Sequence, residues 1–118
     1  MATATHYRIP LLIVVANNRS FYNDEVHQER VARMRDRPVE NKWIGQRISD
    51  PDIDLAALAR AQGAAGFGPI EDVGKLDPAF AEAIAVVEAG GVAVVDVRVA
   101  PGYTPAMAAA VSNAERKA

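Results

Sequence analysis

The chain has 118 residues, 50% of them hydrophobic, and a formal net charge of -2 from 13 basic and 15 acidic side chains, enough for one cored domain and too little for a second. Neither sign of charge forms a long run, which excludes a nucleic-acid footprint and a polybasic membrane patch. Cysteine is absent, which excludes disulfides and thiolate chemistry; with no signal-like start in MATATHYRIP and no apolar run long enough for a bilayer, a cytoplasmic protein is expected.

The first strong element is the unbroken apolar run Leu11 to Ala16, which predicts a strand covered on both faces. It leads straight into Asn17 and Asn18. Open α/β sheets bind ligands in the crevice beyond the carboxyl ends of their strands, so the two amides stand where a ligand is expected. An asparagine there offers an oxygen acceptor and an N–H donor without charge, which suits a partner already rich in charge, such as a metal diphosphate. An ordinary turn explains the pair as well, because asparagine tolerates left-handed backbone angles and caps helices.

A helix is predicted from Asp24 to Arg35, capped by Asn23, with Asp24 and Glu25 in its first turn and Pro38 as its stop. Its apolar face is narrow, so it is expected to lie over a surface or interface. Asp24 with His27, and Glu29 with Arg33, read as a solvated face. Residues Pro38 to Ile53 form a long connection pinned by Trp43 and Ile44. Asp52 or Asp54 caps the next helix, which carries Leu55, Leu58 and Ala59 and ends at Gly63; a short strand follows around Ala65 to Phe67. Gly66, Gly68 and Pro69 read as a turn, since no dinucleotide-binding glycine fingerprint is present.

A further helix is predicted with Asp77 as N-cap, Pro78 at its first position and Phe80, Ile84 and Val87 on one face, closed by Gly90 and Gly91. Val92 to Val99 reads as a buried strand, with Asp96 and Arg98 emerging as polar positions near its end, and the tail from Thr104 as a helix or frayed end. Strand, helix, helix, strand, helix, strand is the order of an α/β unit with a small parallel sheet. At this size, helical cover of both sheet faces is expected to be incomplete.

The segment HYRIPLLIVVANNRSFYNDEVHQERVARMR resembles the carboxyl half of the thiamine-diphosphate-binding domain of the acetolactate synthase and decarboxylase family. PDIDLAALARAQGAAGF is similar to that family's helix, glycine and short strand, and GGVAVVDVRVAPGYTPAM to its last strand and exit. The resemblance implies a partial three-layer thiamine-diphosphate-binding fold, α/β, with a small, mostly parallel sheet and flanking helices, formed by residues 1–118 as one incomplete domain. It implies thiamine diphosphate and magnesium as cofactors of the complete enzyme, with Asn18 as a side-chain magnesium ligand and Ser20 giving its main-chain carbonyl. Asn17 would brace the turn and the cofactor phosphate. No residue here is assigned a catalytic role.

The family motif opens with GDG, which occurs nowhere in this sequence, so the principal metal carboxylate is not supplied. Where the family often has glycine after the asparagines, this chain has Phe21 and Tyr22. The expectation is a carboxyl-terminal fragment of an enzyme that decarboxylates a 2-oxo acid and transfers the carbanion equivalent, inactive alone and with its cofactor site empty. The alternative is a non-catalytic α/β module that pairs with itself or a relative, as a homodimer or larger assembly.

Overall fold

The computed structural model describes residues 1–104, so the tail predicted from Thr104 lies almost wholly outside the described residues. Three strands, β1 (Leu11–Asn17), β2 (Ala65–Ile70) and β3 (Val92–Arg98), form a parallel sheet in the order β1-β3-β2. β1 pairs with β3 from Leu11 opposite Val92 to Asn17 opposite Arg98, so both strands end together at one edge. β2 pairs Ala65 with Ala93 and Phe67 with Val95, then shifts register before Ile70 pairs with Val97.

The sheet is covered on both faces over its centre. Val92 and Val94 meet Ala4 of α1 (Ala2–His6) and Ala59 of α3 (Leu55–Ala61), while Ala93 and Val95 meet Ala83, Phe80 and Val87 of α4 (Leu76–Glu88). The five residues Val92 to Asp96 are all buried, as expected of a strand sandwiched between helical layers. The apolar run Leu11 to Ala16, by contrast, forms an edge strand: Leu12 packs into the α4 cluster, but Val14 farther along is 49% exposed. Apolar content identifies a strand in the sheet, but only pairing order makes it central.

Small residues let the layers approach. Ala56, Ala59, Ala83 and Ala93 are fully buried, and a Cβ on Gly66 would overlap the Ala56 carbonyl, so α3 rests directly on the backbone of β2. Gly66, Gly68 and Pro69 therefore belong to β2 and its irregularity rather than to a turn.

Helix boundaries correct the sequence expectations in instructive ways. α2 runs from Tyr22 to Met34 with Phe21 at its N-cap and no side-chain cap, so Asn23 lies inside it; the chain is already held at this point by Phe21 N–H donating to the Gln46 carbonyl (2.9 Å). Its end precedes Pro38: Asp36 takes a left-handed φ of 49°, and Arg37 N–H donates to Ala32 O at 2.8 Å, a Schellman-type close. α4 closes the same way at Gly90, where φ is 87° and glycine carries no Cβ penalty. Asp54 caps α3, accepting from Ala57 N–H at 2.7 Å. Asp77 does not cap α4. Asp72 caps a short 3-10 turn (Val73–Lys75) that runs into α4, placing Asp77 in the first turn and Pro78 where no intrahelical N–H bond is lost. Ile84, at 45% exposure, lies off the buried face, which runs instead through Ala79, Phe80, Ala83 and Val87.

Candidate functional site

β1 ends in a tight turn built by its own side chains. Asn17 Oδ1 accepts the Arg19 N–H at 3.0 Å and Asn18 Oδ1 accepts the Ser20 N–H at 2.9 Å, two successive asparagine turns that put Arg19 at a left-handed φ of 54°. Asn17 Nδ2 donates to Asp96 Oδ1 on the neighbouring strand at 2.9 Å. Asp96, expected as an emerging polar position, is fully buried, because its strand is the central one.

Ser20 then pairs antiparallel with Arg47, flanked by Ile48 N–H donating to Arg19 O (2.8 Å) and Phe21 N–H donating to Gln46 O (2.9 Å). In such a pairing the residue between the two bonds turns its own N–H and C=O to the opposite edge. The Ser20 N–H points to the Asn18 amide, and the Ser20 carbonyl is turned toward that same side. The structure thus brings Asn17, Asn18 and Ser20 into one turn at the carboxyl edge of the sheet.

A cavity of about 310 Å³ opens beside the turn, lined by Asn18, Ser20, Arg19, Tyr22, Glu25 and Arg47 among others. Glu25 is 4% exposed and accepts the Ser20 hydroxyl at Oε1, the atom that also lies 3.7 Å from Arg47 Nε. On the other side of the turn a hollow of about 240 Å³ is bounded by Asn17, Asn18, Arg98, Ile48, Ile53 and Leu55. There Asp52 lies 3.4 Å from Arg19 and 3.6 Å from Arg98, bringing a loop carboxylate to the end of the sheet. Tyr103 reaches over the start of α2, its hydroxyl donating to Asn23 Oδ1 (2.8 Å) and its ring edge-on to Tyr22 at 5.5 Å.

Trp43 and Ile44, expected to pin the long connection, are 44% and 56% exposed; the segment is held instead by polar contacts, with the Arg47 guanidinium 5.5 Å from the Trp43 ring centre. The expected Glu29–Arg33 pair is present at 2.7 Å, and Lys42 joins it on the second oxygen. Glu25, Arg47 and Asp96 were invisible as site residues in the sequence. The available signal for Asp96 is an acid interrupting a run of apolar residues in a buried strand.

The cavity sets oxygen donors without a metal-binding cluster of acids: among the described residues no group of three histidines, cysteines or acids converges. Asn18, Ser20 and the buried Glu25 bring oxygen groups to the cavity beside the guanidinium groups of Arg19 and Arg47. That mixture is complementary to an oxyanion carrying a hard divalent ion. A comparison with protein-family models matches residues 1–97 to the thiamine pyrophosphate enzyme, C-terminal TPP binding domain. The chain belongs to this family. The match spans α1 through nearly all of β3 and includes Asn17, Asn18 and Ser20, and the three-layer α/β arrangement with its small parallel sheet is that of part of such a domain. Comparisons with curated proteins and with solved structures returned no match. As a member of a thiamine pyrophosphate-binding family, the chain has thiamine diphosphate as the ligand its fold is associated with. No helix among the described residues is long and apolar enough to cross a membrane.

Proposed function

We propose that this chain provides the asparagine-turn part of a thiamine-diphosphate and magnesium site in a cytoplasmic acetolactate synthase-like enzyme that decarboxylates a small 2-oxo acid. The observation that carries the reading is the cavity at the sheet edge, where Asn18 and the Ser20 carbonyl share one side of the turn with Arg19 and Arg47 close by. In this reading Asn18 Oδ1 and the Ser20 carbonyl hold the magnesium ion, and Asn17 braces the turn and the phosphate. Bound thiamine diphosphate supplies the electron sink for decarboxylation. The chain's own groups bind and orient: the amide oxygens carry no charge to be neutralised, and the guanidinium groups offset the phosphate charge. No GDG segment is present in the sequence, so the affinity of these residues by themselves is weak and turnover requires groups they do not include.

Titration of the isotope-labelled chain with thiamine diphosphate and magnesium, followed by amide resonances, tests this. The expected result is weak, magnesium-dependent shifts centred on residues 17–20 that Asn18→Ala removes, with no carbon dioxide released from pyruvate. Binding indifferent to magnesium and to Asn18 overturns the site assignment, and turnover by the chain alone overturns its dependence on further groups.

A second reading, self-association, is favoured by β1: a seven-residue edge strand, LLIVVAN, with no charge or proline and with Val14 49% exposed. Such an edge is a template for pairing with another chain, here a second copy. Light scattering across concentration tests it; a monomer throughout counts against it.

A further inference from the structure

Asp96 is the interior carboxylate of the sheet. Among the described residues its Oδ1 accepts one hydrogen bond, from Asn17 Nδ2, and its Oδ2 meets no donor. Burying an acid against one neutral donor is costly, and the apolar Val94 two residues earlier, on the same face of β3, shows what a residue chosen for packing looks like. Asp96 is therefore poorly explained by sheet stability and well explained by what its one partner does.

That partner has two ends with opposite demands. Asp96 Oδ1 takes a donor, and the Arg19 N–H at the far end of the Asn17 amide takes an acceptor. Only one orientation of the amide satisfies both; the reversed one sets oxygen against oxygen and N–H against N–H. β2 passes close to the same residue: a Cβ on Gly68 would stand 2.5 Å from the Asp96 main-chain carbonyl oxygen and 3.1 Å from its Cβ, so only glycine fits beside Asp96 there. The chain of contacts then runs outward. Asn17 Oδ1 draws the Arg19 N–H inward at φ 54°, and the next amide, Asn18, closes on Ser20.

We propose that Asp96 is a positioning residue for the Asn17–Asn18 turn: by fixing which way the Asn17 amide faces, it fixes where Asn18 and Ser20 present their oxygens. Its consequence for cofactor binding rests on the function proposed above; its effect on the turn does not.

Hydrogen exchange and side-chain amide resonances of the whole chain separate the two. Asp96→Val removes the acceptor and matches Val94 in shape. It is expected to speed exchange at the Arg19 N–H by about tenfold or more, the scale of a hydrogen bond to an ionisable group, while Val94 and Val95 exchange as before. Asp96→Asn keeps an oxygen acceptor and is expected to restore protection at Arg19 while shifting the Asn17 side-chain N–H resonances. Unchanged exchange at Arg19 in Asp96→Val overturns the proposal; should that variant not fold, unchanged Asn17 side-chain resonances in Asp96→Asn overturn it equally. Magnesium-dependent thiamine diphosphate affinity should fall about tenfold with Asp96→Val. A wild-type chain that binds no thiamine diphosphate overturns the cofactor reading alone, and the exchange data still decide the role of Asp96.

Discussion

The sheet with α1, α3 and α4 and the arm formed by α2 and the segment up to Asp54 are held by different forces. In the sheet body, alanine, valine and glycine bring backbones into contact, and among the described residues the two apolar clusters contain none from α2. The arm is tied by polar links: the Ser20–Arg47 bridge, Glu25 with Ser20 and Arg47, and Glu29 with Arg33 and Lys42. Apolar contact is lost only when the body comes apart, whereas exposed ion pairs are individually weak and screened by salt. The asparagine turn joins the two, so one side of the candidate site is rigid and the other adjustable.

The strongest way to break this contrast is Gly66→Ala, whose Cβ has no space against the Ala56 backbone. It should cost about 3 kcal/mol in cooperative unfolding by denaturant, and a near-neutral result would show that the body is not held by close backbone approach. Glu25→Ala should cost about 2 kcal/mol by leaving the Ser20 hydroxyl and Arg47 without their buried partner. Here the loss should be local: α2 amides exchange faster while those of β3 do not, and uniform acceleration would erase the distinction between arm and body. Asp54→Ala removes the cap of α3 and should lower global stability by about 1 kcal/mol, read from the same denaturation curves.

The smallest effect concerns Glu29. Its hydrogen bond from Lys42, then that from Arg33, holds its carboxyl below the usual carboxylate range. A depressed folded-state value stabilises the arm above the unfolded value and is lost as pH falls through the folded one. Acidification at low salt should therefore loosen the middle of α2, and about 1 M salt should flatten that dependence. A carbon-detected titration of Glu29 in the normal range would remove this link.

The three strands and the helices α3 and α4 of the body were legible because period and punctuation agree: apolar runs at Leu11 and Val92, Asp52 or Asp54 as cap, of which the structure uses Asp54, and Gly63 and Gly90 as stops. The edge position of β1 was not, since LLIVVAN reads as buried until its neighbours are known. That Asn17 and Asn18 close the strand end was legible from the apolar run before them, whereas Ser20 was singled out by the family resemblance alone. Glu25 and Arg47 were hidden because they meet across a separation of 22 positions that no local spacing encodes. Asp96 and Asn17 lie 79 apart and are neighbours only through parallel pairing.

The antiparallel link between Ser20 and Arg47 has a thermodynamic corollary. The two main-chain bonds beside Ser20 clamp the segment around Arg47 to the turn, so whatever engages the outward carbonyl of Ser20 also biases that segment toward its clamped position. Coupling of this kind is reciprocal. A protein surface that immobilised the segment near Arg47 would raise the turn's affinity for a ligand at the Ser20 carbonyl by the same factor by which that ligand raised affinity for the surface, without touching the oxygens of Asn18 and Ser20.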